Sequence, residues 1–258
     1  MHFDINELRR LEAEKLITLR KHPADFDLLI ANYTPQVQFD KLWDKSPLLP
    51  HCRGLILSAS GDILARPFPK FFNYGEYQGE IPDSEPRITE KMDGSLGILY
   101  WLGGEPRIAT RGSFDSEQAH AATFILREKY EGARFAAGHT YLFEIIYPEN
   151  RIVVNYGDKR DLVLLGVIHT ETGEEVWHPG MSNNSAFPVP KTYEGFTLDQ
   201  LKAAEMENFE GFVVHWPDHG LRLKVKLDEY LRLHKVLTGV SARTIWQGMK
   251  NGDNLQLW

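Results

Sequence analysis

An α+β fold built on antiparallel sheets is predicted by three features of this 258-residue chain. Apolar runs of strand length come in groups, with helix-length segments between them and no strict alternation of strand and helix. Arg53-Gly54-Leu55-Ile56-Leu57 and Ile63-Leu64-Ala65, joined through Ser60-Gly61-Asp62, have the pattern of a β-hairpin. No repeat, low-complexity tract or compositional break marks a linker. An internal linker is therefore not expected.

The elements follow in order. Asp4-Ile5-Asn6-Glu7 resembles a capping box and starts a helix to about Arg20, with Leu8, Leu11, Leu16 and Leu19 as its apolar side. Leu28-Leu29-Ile30-Ala31 is a strand that Tyr33-Thr34-Pro35 ends. After the hairpin, Arg66 to Asn73 reads as an irregular aromatic loop. Arg87-Ile88-Thr89 and Leu96 to Trp101 flank a tight turn at Gly94 and read as a second hairpin. Arg107 to Gly112 is a further strand, and Ser116 caps a helix to about Tyr130. Tyr141–Ile146, Arg151–Asn155 and Leu162–Ile168 read as strands. Thr197 caps a helix to about Asn208. Gly211–His215 and Leu221–Leu227 are the last strands, and Asp228–Leu237 and Ser241–Lys250 are short terminal helices.

Composition narrows the function classes. A hydrophobic content of 42% with 25% charged residues is that of a soluble globular protein. No apolar run approaches the length that crosses a bilayer, and the charged stretch Met1–Arg20 is no signal peptide. The single cysteine, Cys52, excludes an internal disulfide and a Cys-rich zinc site, and fits a reducing cytoplasm, in a cell or an infected host. The ten histidines show no metal-ligand spacing. A net charge of −7 argues mildly against nucleic acid as partner, but the charge is uneven. From Leu221 onward, seven Lys/Arg face three acids, so this segment is +4 and the rest −11. An acidic body with a basic end can hold a polyanion locally.

Charged residues inside apolar strands carry the functional signal. Lys91 lies between two core strands, where a cation is costly to bury, so it either snorkels to water or serves as an amine. In Leu223-Lys224-Val225-Lys226-Leu227 the two lysines share one strand face. Glu144 interrupts an apolar strand, Glu210 immediately precedes one, and Arg111 ends one. Taken singly, each is explained by a half-buried strand, a loop acid or a solvated strand-end cation.

Their order is what sets them apart. Lys91-Met92-Asp93-Gly94, Arg111-Gly112, Phe143-Glu144, Glu210-Gly211-Phe212-Val213 and Lys224-Val225-Lys226 form the ordered motif set of the covalent nucleotidyltransferases. The chain resembles the ATP-dependent RNA ligases, specifically the bacteriophage RNA ligase 1 group that seals broken tRNA. Ser95 after the lysine motif, Cys52-Arg53-Gly54-Leu55-Ile56, and Ala65-Arg66-Pro67-Phe68-Pro69-Lys70-Phe71-Phe72-Asn73 match that group, as does Tyr230. The resemblance runs from about Leu28 to about Tyr230. It implies an antiparallel-sheet nucleotidyltransferase (adenylyltransferase) core over residues 1–230, the N-terminal helix included, with 231–258 as a short helical C-terminal extension.

The implied reaction joins 3′-hydroxyl and 5′-phosphate RNA ends through a lysyl-AMP and then an RNA-adenylate. By this resemblance Lys91 is the nucleophile, with Asp93 beside it in the catalytic motif. Lys224 and Lys226 hold the α-phosphate, Glu144 the ribose hydroxyls, and Arg111 the ribose or phosphate region. Glu210 binds a catalytic metal, Mg2+ or Mn2+, directly or through water. Gly94 lets the backbone approach the nucleotide, and Arg53 and Lys70 grip the β- and γ-phosphates. Phe72, Glu90 and Tyr230 complete the nucleotide-binding set. The chemistry needs a neutral amine. An unperturbed lysine, with a pKa of about 10.4, is only about one part in a thousand neutral near pH 7.4, a deficit of about 4 kcal/mol. Neighbouring cations at Lys224, Lys226 and Arg111 would disfavour the ammonium and stabilise transition-state charge.

Two other readings share this pattern: a non-catalytic nucleotide- or RNA-binding relative, and an adenylyltransferase or ligase acting on DNA or another acceptor. Only 32 residues follow Lys226. By the resemblance, this is expected to leave no room for the OB-fold of DNA ligases and capping enzymes and to reduce the helical domain linked to tRNA selectivity to two short helices. The basic C-terminal segment, with Arg243 and Lys250, is a candidate RNA-docking surface. Without a kinase or phosphatase module, damaged ends are expected to be healed by a separate protein.

Overall fold

The computed structural model describes residues 3–181 and 186–239. Helix α1 (Ile5–Ala13) starts as its sequence predicts, with the Asp4 carboxylate accepting the Asn6 N–H and Leu8 and Leu11 buried. It ends well before Arg20. Lys15 adopts a left-handed φ of 60°, and the β-branched pair Ile17-Thr18 opens strand β1 (Ile17–Lys21) instead. β2 (Leu28–Tyr33) is followed by the short helix α2 (Pro35–Phe39), then β3 (Arg53–Ser58) and β4 (Ile63–Ala65), the hairpin expected from sequence. The aromatic stretch after Ala65 is irregular except at its end, β5 (Phe72–Asn73), which pairs in parallel with a later strand.

β6 (Arg87–Glu90) and β7 (Ser95–Leu102) flank the lysine motif but do not pair with each other: they belong to different sheets. The expected second hairpin is therefore absent. Alternation identifies a strand but not its partner. Next come β8 (Glu105–Thr110), α3 (Glu117–Tyr130), β9 (His139–Ile146), β10 (Asp161–His169) and β11 (Glu175–Trp177). The expected strand at Arg151–Asn155 does not form, for a reason given below. β12 (Thr192–Tyr193) precedes α4 (Leu198–Lys202), which has the Thr197 cap but stops six residues short of Asn208. β13 (Gly211–Trp216), β14 (Leu221–Lys226) and α5 (Asp228–Gly239) complete the described chain. The expected helix Ser241–Lys250, with Arg243 and Lys250, lies outside the described residues.

The chain divides into two compact units. The first holds residues up to Phe71, Gly94–Asn150 and Lys159–Lys191. It contains one sheet in the order β1-β2-β3-β4 and a second in the order β11-β10-β9-β7-β8, both antiparallel throughout. α3 starts with Ser116 Oγ accepting the Ala119 N–H and buries Ala122, Ile125 and Leu126 against Leu99, Phe143 and Leu164 of the second sheet. The other unit holds Phe72–Asp93, Arg151–Asp158 and, among the described residues, Thr192 to Gly239. Its sheet runs β12-β6-β13-β14-β5, and its core is Ile88, Phe212, Val214, Trp216, Leu223 and Val225 with Val153, Val154 and Tyr230. Among the described residues no helix is long and apolar enough to cross a membrane.

A buried histidine in the first unit gives the fold a pH dependence. His22 accepts the Ala24 N–H at Nδ1, places Nε2 3.1 Å from the Tyr100 hydroxyl, and packs edge-on against Phe114. Burial, with Arg107 adding repulsion, holds its pKa below the ordinary 6.5. The unfolded chain therefore binds this proton first, and stability is full above pH 6.5 and falls below it. The slope from this one group is at most about 1.4 kcal/mol per pH unit. Melting curves from pH 8 to pH 5 should show this loss, and His22→Gln should flatten it.

Candidate active site

Lys91 is placed by the sheet ladder. Its N–H continues the β6–β13 pairing by donating to Gly211 O at 2.8 Å, and Gly211 is in turn registered with Lys226 on β14. The two lysines thus emerge on one face of the sheet. Between them lies Glu210, only 2% exposed: Oε2 is 2.8 Å from Lys91 Nζ and Oε1 is 2.8 Å from Lys226 Nζ. The close turn that tucks Glu210 in depends on Gly211, which has φ +147°; a Cβ there would stand 2.0 Å from Val225 O. The arrangement is one carboxylate between two ammonium groups. Like-charge repulsion alone was expected to act on Lys91; the structure adds an opposing carboxylate that favours its ammonium form.

Asp93, two residues on, is a buried acceptor. Oδ2 takes the N–H groups of Val153 and Val154, both at 2.8 Å, and Oδ1 takes the Tyr230 hydroxyl at 2.8 Å. Its own N–H donates to Tyr156 Oη at 2.9 Å. This is why Arg151–Asn155 is not a strand: two amides that a ladder would use are spent on a carboxylate instead. Tyr230, in the first turn of α5, also lies under Lys226, with Nζ 4.9 Å from the ring centre. Burial, reinforced by the Glu210 and Asp93 carboxylates, pushes the Tyr230 hydroxyl far above its usual pKa, so it remains a donor. Lys224 shares the Lys226 face, Glu90 ends β6 in register with Phe212, and Phe72 is half-buried beside Leu223.

The first unit gathers a second group of the expected residues. Glu144 Oε1 accepts the Gly94 N–H at 2.9 Å, and Gly94 is required there because a Cβ would meet Ile145 O at 2.5 Å. Arg53, at the start of β3, is enclosed with Tyr33, Arg111 and Glu144 around it, and burial lowers its pKa from the ordinary guanidinium value. The Arg111 guanidinium lies 5.2 Å from the Tyr33 ring centre. Lys70 Nζ lies 5.8 Å from the Trp43 ring, which meets Tyr33 edge-on at 4.9 Å. Tyr33, Trp43, Tyr156 and the Val153-Val154 amides are absent from the residues picked out by sequence. Nothing in an aromatic ending a strand, or in two apolar amides, distinguishes them from ordinary core.

Among the described residues no three His, Cys, Asp or Glu side chains converge as metal ligands. Cys52 is buried, its thiol pushed up to about 12, and it is chemically inert. Glu210 has spare lone pairs beyond its two lysine bonds. A hard cation that keeps waters and shares substrate phosphates needs only one or two carboxylates, so the residues fit such an ion.

The family model described as RNA ligase matches residues 51–231, which include every one of these expected side chains. The chain belongs to the RNA ligase family. Similar proteins include the RNA ligase of Rhodothermus phage RM378, 26% identical over 294 aligned positions that cover 83% of this chain and 66% of that one. RNA ligase 1 of Bacteriophage TS2126 is 34% identical over 126 residues, 40% of this chain and 31% of that one. A relative from Autographa californica nuclear polyhedrosis virus is 30% identical over 250 residues, and this RNA ligase family member spans 34% of its length. Two solved forms of an archaeal ATP-dependent RNA ligase share the fold, with TM-scores of 0.55 and 0.54 at 14% and 16% identity. Each covers 87% of this chain and 62% of that one. The α+β, antiparallel-sheet architecture read from sequence is therefore the architecture of the family.

Proposed function

We propose that this chain is an ATP-dependent RNA ligase that joins 3′-hydroxyl and 5′-phosphate ends, with residues 1–230 as its adenylyltransferase domain. The observation that carries the reading is Lys91 held on Glu210 opposite Lys226, within the segment that matches the RNA ligase family. A surface lysine would be solvated; this one is fixed by register, by a buried acid and by a second cation on the same face.

The chemistry runs in three steps. Lys91 Nζ, having shed a proton, attacks the α-phosphorus of ATP; a P–N bond forms and the bond to pyrophosphate breaks. The RNA 5′-phosphate then attacks the lysyl-AMP, forming a P–O bond and freeing Lys91, which regains its proton. The 3′-hydroxyl attacks that phosphate and expels AMP. Lys226 and Lys224 stabilise charge on the α-phosphate, and Arg53 and Lys70 orient pyrophosphate as it leaves. Glu210, together with ATP phosphates and water, would hold Mg2+ or Mn2+, which would supply charge that neutralises phosphate and disfavours the ammonium of Lys91. The ends joined are those a polynucleotide kinase and phosphatase leave, and we place such an end-healing activity upstream.

The test is incubation with Mg2+ and α-labelled ATP, with GTP and NAD in parallel, followed by a denaturing gel and a chase. Acid-labile label from ATP alone, discharged by 5′-phosphorylated RNA, is the expected result. Discharge by DNA at an equal rate would overturn the RNA assignment. Glu210→Gln should lower the labelling rate by about 100-fold, the scale of losing one electrostatic stabiliser. Leaving two ammonium groups without their carboxylate should also cost about 2 kcal/mol of stability. A rate that still climbs normally through a Mg2+ titration would defeat this role for Glu210.

A further inference from the structure

The lysine face of the second unit extends beyond the residues expected to act on the α-phosphate. Register fixes which side chains share it. Lys91, Gly211 and Lys226 lie in one row; Thr89, Val213 and Lys224 in the next; Arg87, His215 and Arg222 in a third. The intervening residues Ile88, Phe212, Val214, Leu223 and Val225 point to the opposite side and form the core. These nine positions, on three strands and the residue that follows β6, carry five cations and one histidine in a chain whose net charge is −7, and the Glu210 carboxylate pairs with the two cations of the first row, Lys91 and Lys226. Along β14 the cations recur at every second residue, about 7 Å apart, a spacing comparable with that of successive phosphates on an extended strand.

The third row is also organised. Arg222 Nη2 lies 3.1 Å from His215 Nδ1, so the imidazole accepts from the guanidinium and orients it, leaving its own Nε2 as a donor. Arg87 is exposed and stands in register on the other side of His215. A planar guanidinium held by a neighbour is pre-organised for phosphate oxygens. We propose that Arg87, His215 and Arg222 form a second phosphate-binding row, serving a phosphate of the RNA strand or the outer phosphates of ATP. This rests on the RNA ligase reading, and its test separates the two sources.

The experiment compares the wild-type chain with Arg87→Gln/Arg222→Gln. One arm titrates a 5′-phosphorylated RNA oligonucleotide at several salt concentrations; the other measures KM and kcat for label uptake from ATP. If the row holds RNA, affinity falls about tenfold and the slope of log K against log salt becomes shallower by about 1.4 for two lost contacts, with uptake from ATP unchanged. If it holds ATP, KM rises with kcat preserved and RNA binding is unchanged. Arg87→Lys/Arg222→Lys, which keeps the charges but not the planar fork, should restore part of either loss. If neither arm moves in a variant that melts like wild type, the proposal is overturned. Exposed Arg87→Gln alone provides the same readout should the double variant fold poorly. The RNA titration needs no lysyl-AMP, so a wild-type chain that takes no label refutes the ligase reading while leaving this one to be judged by its own arm.

Discussion

Lys91→Ala should take no label from α-labelled ATP, at any ATP or metal concentration, while remaining folded. The loss is complete because the amine is the atom that forms the P–N bond. Lys226 is no substitute: it occupies the other Glu210 oxygen and is pinned over the Tyr230 ring. Stability should suffer little. Lys91 is about one-fifth exposed in its side chain, and removing it leaves Glu210 still paired with Lys226. The cost should be about 1.5 kcal/mol, the lower end for one hydrogen bond to a charged group, because Lys91 is partly exposed. Circular dichroism and a melting curve would establish the fold, and the denaturing gel the chemistry. Label on a folded Lys91→Ala chain would refute the assignment. A complementary readout is available: pre-adenylylated RNA bypasses the lysine, so sealing of that substrate should survive in the variant. Retained sealing with lost labelling separates the nucleophile from a residue that merely supports the site.

What sequence could and could not show follows from the physics of each element. Ser116 and Thr197 announce helices because a side-chain cap is local, and both caps are present. The ends of α1 and α4 are set by backbone turns at Lys15 and Ala203, which no capping residue in the sequence announces. Period-2 alternation reveals that Lys224 and Lys226 share a face, and it would equally have added Arg222. It does not say that β6 pairs with β13 while β7 pairs with β8 and β9, because pairing is a tertiary choice. The ordered motifs named Lys91, Glu144 and Glu210 but not their contacts: the bridge from Lys91 to Lys226 through Glu210 spans residues more than a hundred positions apart. Tyr33 and Trp43 carry no local mark, since their work is to face Arg111 and Lys70 with a ring.

Asp93→Ala should strongly destabilise the second unit. The Asp93 carboxylate is 3% exposed and satisfies three donors: two amides of a segment with no ladder of its own, and the hydroxyl that anchors α5. Alanine leaves all three in a dry site. At about 1–3 kcal/mol per unsatisfied buried group, offset in part by entering water, the loss should be about 3–5 kcal/mol. Asp93→Asn keeps an acceptor oxygen for the amides and should cost only about 1–2 kcal/mol. Tyr230→Phe removes one donor and strands one lone pair, again about 1–2 kcal/mol. The discriminating measurement is the double-mutant cycle from denaturant melts. If Asp93 and Tyr230 act through one hydrogen bond, Asp93→Ala/Tyr230→Phe costs little more than Asp93→Ala alone. Simple additivity would mean that α5 is held independently of the lysine loop. Labelling kinetics extend the cycle to function. Because the Tyr230 ring supports Lys226 while its hydroxyl ties Asp93, Tyr230→Phe should preserve the lysine's platform and lower the rate modestly. Tyr230→Ala removes both and should lower it far more.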